Sequence, residues 1–305
     1  LPAVSYQPPE TALPFPFNIR LTLEGWNLLF LDEGAYVADA SKGEDWNRGA
    51  YIVEAMGHCG ACHSPRNILG AAAKTGPKAY TGGEAEGWIA PALTAATPAP
   101  IPWTENALVN YLIDGWDRDH GIAAGPMKPV VNDLYEQSED DVFAIAGYLM
   151  HLKGGPLPEA EQKAATEKAR AFADQVEWGS PSAPPLPTDP QLALGARVYE
   201  AQCATCHKSG GQPAPLGLAT VVWLDDPANV VRISLEGNHP GPAGSLDRSM
   251  PARALQMNDA EMEAVAAFVR ARFTTLPPWP ADLIARRIAE GREHIAHVAK
   301  ARTGQ

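Results

Sequence analysis

Cysteine is nearly absent from this chain, with four in 305 residues. All four fall in two pentapeptides, Cys59-Gly60-Ala61-Cys62-His63 and Cys203-Ala204-Thr205-Cys206-His207, which leaves none over for a disulfide framework. Also missing is any run of about 18 apolar residues, so the sequence as given holds no membrane-spanning helix. No signal peptide is visible, and Leu1 is read as following a cleavage or truncation. Positive charge is in deficit: 24 Lys and Arg stand against 36 Asp and Glu, and the net charge of −12 argues against a nucleic-acid partner.

The pentapeptides that hold the cysteines are chemically specific. Two thiols one helical turn apart can add to the two vinyl groups of one porphyrin, while the adjacent imidazole reaches the iron. A disulfide pair gives no reason for a histidine after it. A zinc ribbon places its CxxC pairs about 15 to 20 residues apart, whereas these begin at 59 and 203. The reading is covalent haem c, one on Cys59 and Cys62 with His63 on the iron, the other on Cys203 and Cys206 with His207. Two haem c groups imply electron transfer. A length of 305 residues suggests two domains, and 29 prolines with 27 glycines suit a loop-rich chain wrapped around flat ligands.

Comparing the halves of the chain locates a second iron ligand for each site. After the first motif, Glu105 to Gly115 reads as an amphipathic helix stopped by glycine, and after the second, Pro227 to Gly237 reads the same way. Met127 lies twelve residues beyond Gly115 and Met250 thirteen beyond Gly237, each with proline close behind. A last helix then opens in each half at a capping residue with an acid three positions on, Ser138 with Asp141 and Asn258 with Glu261. Val142, Ile145, Tyr148 and Leu149 occupy the places of Met262, Val265, Phe268 and Val269. Met127 and Met250 are therefore the expected axial thioethers. Met56, Met150, Met257 and Met262 read as core filler, and His120 and His239, in the same loops, are the weaker bis-histidine alternative. Arg66 is placed to meet a haem propionate, and Trp103, Tyr80 and Trp223 to line the rings.

The expected fold is all-α, with two cytochrome c-like haem domains in tandem and an extended N-terminal arm. Residues 1–45 form the arm, rich in proline and aromatics, and expected to lie across a domain or a partner subunit. Domain one covers 46–155, beginning with the helix Trp46 to Met56. Residues 156–187 are an exposed charged helix and a proline-rich linker, and 188–276 are domain two. In 277–305 the helix places Ile284, Ile288, Ile295 and Val298 on one face and Arg286, Arg287, Arg292, Lys300 and Arg302 on the rest. Such a helix over 281–302 can lie on an anionic membrane, pack on its own domain or dock a partner.

Leu13-Pro14-Phe15-Pro16-Phe17-Asn18, Gly25-Trp26-Asn27-Leu28-Leu29-Phe30, Trp46-Asn47-Arg48-Gly49-Ala50-Tyr51 and the first CxxCH, with the Gly125-Pro126-Met127 loop, resemble the multihaem cytochrome c subunit of membrane-bound bacterial dehydrogenases. That group serves quinoprotein alcohol and aldehyde dehydrogenases and flavin-dependent gluconate and sorbitol dehydrogenases. The resemblance implies a periplasmic electron-transfer subunit, possessing no catalytic residues of its own. It would accept electrons from a flavin, quinoprotein or molybdenum catalytic subunit and pass them to ubiquinone or a terminal oxidase. Members commonly carry three haem domains, and this chain looks like the second and third of them with the arm retained.

Two other functions fit the same motifs. A dihaem cytochrome c peroxidase has similar size and spacing, but it needs a displaceable histidine soon after the first motif, and none occurs between His63 and His120. A free periplasmic shuttle needs neither the aromatic arm nor the basic helix.

Overall fold

The computed structural model describes residues 5, 7, 12–185, 188–211, 214–238 and 249–303. Contacts divide the chain into two units, Leu1–Ala38 and Asp39–Gln305. The first contains α1 (Leu21–Phe30), which buries none of its residues even though it is mostly apolar. Phe15, Leu21, Leu28 and Leu29 are all more than two-thirds exposed. Of the arm's sequence, Pro8 and Pro9 lie outside the described residues.

The second unit opens with α2 (Glu44–Tyr51), a π turn (Ile52–Met56) and α3 (Gly60–His63). A hairpin follows, β1 (Gly83–Ala85) and β2 (Trp88–Ala90), joined by Glu86 and Gly87 at φ +54° and +76°, which is a type I′ connection. Next come α4 (Glu105–Asp114), the short hairpin β3 (Trp116–Asp117) and β4 (Gly121–Ile122), α5 (Met127–Tyr135) and α6 (Glu139–Leu152). Thr104 caps α4 on the Ala107 N–H, and Gly115 ends it in the left-handed region at φ +68°. Ser138 caps α6 as expected.

The remaining elements are α7 (Glu159–Val176), α8 (Pro190–Gln202), α9 (Thr220–Trp223), α10 (Ala228–Glu236), α11 (Asp259–Phe273) and α12 (Ala281–Thr303). Asp189 caps α8, and Asn258 with Glu261 forms a complete capping box at α11.

Each half is built on one crossing of two helices. In the first, Gly49 of α2 lies against the Ala144 carbonyl and the Tyr148 Cβ of α6. In the second, Gly195 of α8 meets the Ala264 carbonyl and the Phe268 Cβ of α11 in the same way. At neither position is there room for a Cβ, so glycine sets how closely the helices approach. The eight matched positions of α6 and α11 are all buried, from Met262 and Phe268 at 0% exposed to Val269 at 7%. From the crossing glycine the chain takes ten residues to reach Cys59 but eight to reach Cys203. The longer path is absorbed by the π turn and by His58 at φ +38°.

Two helices pack differently from expectation. The helix read as an exposed linker, α7, buries Ala169 and Ala173 in one cluster with Ile101 of the first half and Leu218 of the second. Gln162 also donates to the Pro102 carbonyl at 2.9 Å, and Arg170 pairs with Asp119. α7 is thus packed on both halves. The apolar face of α12 is likewise occupied by protein: Ile284 and Ile288 are 1% and 2% exposed within the second core, with Ile295 packed at its margin. A membrane-lying reading of 281–302 needs that face and does not hold.

Candidate haem-binding sites

The first motif is held from three sides. The Cys59 N–H donates to Val53 O at 3.0 Å, and His63 N–H to Cys59 O at 2.9 Å, so the pentapeptide winds as one helical turn. Gly82 N–H donates to His63 O at 2.8 Å, and the α-carbon of Gly83 is so close to the Cys62 and Ser64 carbonyls that a Cβ would stand 2.5 Å from the nearer. The hairpin therefore backs directly onto the motif. Ser64 Oγ accepts from Tyr80 N–H, and the Tyr80 ring lies over Gly60.

His63 Nδ1 meets the Pro91 carbonyl at 2.7 Å. That contact fixes the tautomer as Nδ1–H and leaves Nε2 as the free lone pair, the arrangement an iron ligand requires. Burial pushes the His63 imidazole below its ordinary pKa and so keeps it neutral. Burial also pushes the Cys59 thiol up to about 11. All four cysteines are free, and none is in a disulfide. Among the described residues no three His, Cys, Asp or Glu side chains converge on one point.

Met127 is half-buried and is the first residue of α5, where the sequence suggested a loop. Just before it, Gly125 at φ +54° lies against the Trp88 indole, where a Cβ would come within 2.5 Å of the ring. His120 is buried with both ring nitrogens engaged, Nδ1 on Asp117 at 2.6 Å and Nε2 on the Ile101 carbonyl at 3.1 Å. It also stacks on Trp103 at 3.6 Å. This removes it as an iron ligand.

The second motif repeats the geometry with other residues. Cys203 and Ala204 N–H both donate to Tyr199 O, His207 N–H donates to Cys203 O at 2.9 Å, and the Tyr199 hydroxyl returns to His207 O at 2.8 Å. Gly211 takes the place of Gly83, pressed on the Cys206 carbonyl. His207 Nδ1 is buried and has no hydrogen-bond partner among the described residues, and burial lowers this imidazole's pKa as well. Cys203, too, is pushed up to about 11 by burial. Met250 pairs with Asn238 in an antiparallel bridge, N–H to O in both directions at 2.7 and 2.8 Å. Gly237 at φ +73° lets the Met250 strand approach, since a Cβ there would stand 2.6 Å from Met250 O. His239 lies outside the described residues.

Two buried imidazoles, each the residue after a pair of cysteines on a single turn, fit covalent haem c at both places. Other details differ from expectation. Arg66 donates to Gly70 O at 2.7 Å and Ala61 O at 2.8 Å, so its guanidinium braces the motif itself. Lys153, which no sequence pattern singles out, lies 5.9 Å from the Trp103 ring and within electrostatic reach of His63, and burial brings its ammonium down to about 8. Trp223 donates to Gly217 O, and its ring meets Phe172 edge-on. Met150, Met257 and Met262 are core filler, but Met56 is 61% exposed, because the π turn rotates it outward.

The fold and these motifs define a c-type cytochrome, an electron-transfer haem protein. Comparison with known proteins places it further. Residues 190–269 match the family described as cytochrome C oxidase, cbb3-type, subunit III. The chain is 38% identical over 283 residues to a nicotinate dehydrogenase subunit of Pseudomonas putida, covering 90% of this chain and 22% of that protein. It is 37% identical over 212 residues to the fructose dehydrogenase cytochrome subunit of Gluconobacter japonicus, covering 67% of this chain and 42% of the other. The gluconate 2-dehydrogenase cytochrome c subunit of Pantoea cypripedii is 32% identical over 278 residues, 86% of this chain and 60% of the other. Two of these relatives are cytochrome subunits of dehydrogenases, as the resemblance implied, and the third is a dehydrogenase subunit; the chain spans from about a fifth to three-fifths of their length.

Proposed function

We propose that this chain is a dihaem electron-transfer subunit of a periplasmic dehydrogenase. One haem c would be attached at Cys59 and Cys62 and held on its iron by His63 and Met127, the other at Cys203 and Cys206 and held by His207 and Met250. The observation that carries the reading is the repeated crossing, in which Gly49 and Gly195 bring equivalent helices together beside equivalent CxxCH turns. Haem c supplies a one-electron couple between ferric and ferrous iron. The protein's part would be to keep both imidazoles neutral through burial and to supply a thioether as second ligand to each iron, which would exclude substrate and favour a high potential.

Electrons enter from a catalytic subunit of flavin, quinoprotein or molybdenum type and leave to ubiquinone or another respiratory acceptor. The names of the relatives support a dehydrogenase partner. Lys153, buried within electrostatic reach of His63, would be the cation available to a propionate of the first haem, since Arg66 is held by two carbonyls. The exposed apolar surface of residues 13–37 is the docking segment for the partner subunit. Among the described residues no helix is long and apolar enough to cross a membrane.

The test is purification of the chain from its native host. Alkaline pyridine treatment should report two haem c per chain, and a larger redox subunit should copurify. One haem per chain, or a chain that reduces peroxide alone, would sink the reading.

A further inference from the structure

Strand β2 touches both halves of the second unit. At its end, the Pro91 carbonyl takes the hydrogen bond from His63. Two residues earlier, both backbone polar atoms of Ile89 are held by a single side chain: its N–H donates to Asn229 Oδ1 and its carbonyl accepts from Asn229 Nδ2, each at 2.8 Å. Asn229 sits near the start of α10, 7% exposed. Next to it, Trp88 is packed between Gly125, in the turn before Met127, and the guanidinium of Arg232 at 5.3 Å.

A second asparagine makes a second tie. Asn238, 2% exposed, pairs its backbone with Met250 and donates its side-chain amide to the Ala123 carbonyl at 3.0 Å. Ala123 lies four residues before Met127. At the edge, Arg287 of α12 holds Glu84 of β1 at 3.0 Å together with Asp226 at 2.7 Å. The histidine side of the first site is thus joined to α10 through Pro91, Ile89 and Asn229, and the two methionine loops are joined through Ala123 and Asn238.

We propose that Asn229 and Asn238 are positioning residues that lock the two haem sites in one arrangement, so that an electron crosses between them through β2 and α10 without domain motion. The proposal rests on the two-haem reading above. Both side chains are buried and bond to backbone across the halves, so separating the halves breaks these hydrogen bonds together with the packing of Arg232 on Trp88. In the transfer one iron goes from ferrous to ferric and the other from ferric to ferrous, with no bond made or broken and no proton moved. Halves joined only by a tether would have to reorient before each transfer and would be slowed by viscous solvent.

The experiment uses the loaded full chain, reduced by one electron with a photoexcited ruthenium complex, and follows redistribution between the haems in increasing glycerol. The expected rate is independent of protein concentration and changes by less than about twofold over a roughly tenfold rise in viscosity. The double variant Asn229→Ala/Asn238→Ala should keep both haem spectra, lose roughly tenfold or more in rate and become viscosity-dependent. Asn229→Asp, which keeps the acceptor for Ile89 N–H and loses the donor, should fall between them. A wild-type rate that falls in proportion to viscosity overturns the proposal even if the double variant does not fold, as does a folded double variant that transfers at the wild-type rate. A chain with one haem overturns the two-haem reading as well, whereas two haems with viscosity-limited transfer overturns the clamp alone.

Discussion

At the scale of single residues, the ligand set and one buried acid give the sharpest expectations. If Met127 and Met250 close the irons, Met127→Ala or Met250→Ala should open one site each to carbon monoxide, seen as a shifted absorption band in the reduced protein. A variant with an unchanged spectrum would remove that methionine from the set. Glu177 is 6% exposed, and one of its carboxylate oxygens is unpartnered among the described residues. Burial raises it to about 7 from an ordinary 4.5. Its folded-state pKa lies above the unfolded one, so its contribution to stability is complete below about 4.5 and is lost as pH rises through 7, by roughly 3 kcal/mol. Thermal melts at pH 5 and 8 should therefore differ less in Glu177→Gln than in wild type; an equal drop in both would assign the loss elsewhere. The cysteines, histidines and methionines could be named from sequence because their chemistry is written in residue type and spacing. Glu177 and Lys153 could not, because their environments are assembled from distant segments, Arg272 in one case and Trp103 in the other.

At the scale of elements, helix ends were legible and helix contacts only partly so. Ser138, Asn258, Gly115 and Gly237 mark their boundaries by local side-chain and backbone chemistry, and the structure agrees at each. The β1–β2 hairpin was missed because its strands are three residues long and its turn is Glu-Gly, a weaker signal than Asn-Gly. The crossing glycines were present in both halves, but the two-residue difference in their distance to the cysteines hid the correspondence. Their weight can be measured. Gly195→Ala drives a methyl group into the Ala264 carbonyl and should destabilise the second half by about 2 kcal/mol or more. Denaturant melts should show this loss, with less haem attached at Cys203 and Cys206 than at Cys59 and Cys62. A variant as stable as wild type would mean that the helices separate without cost.

At the scale of the whole molecule, the division after Ala38 separates a segment that buries little from a unit with its own cores. Removing residues 1–38 should leave both haem spectra and the melting temperature close to wild type while abolishing copurification of the partner. Retained copurification would move the docking surface onto the second unit. Sequence suggested two domains on a string because its internal repeat is strong and its proline-rich stretch reads as a linker. The ties between the halves come from Asn229, Asn238 and Arg287, ordinary polar residues whose partners lie 115 to 203 positions away, and no local pattern announces such pairs.

The placement of those ties also bears on how the protein is made. β1 and β2 are synthesised long before α10, Asn238 and α12, the elements that grip them. While the chain is emerging, the first CxxCH has its own hairpin behind it but nothing yet across the front of Trp88 or Glu84. The first site can therefore receive its haem as a separate small fold, and the contacts that fix it against the second site form only after α12 has been added. On the proposal above, the clamp is therefore the last part of the chain to close.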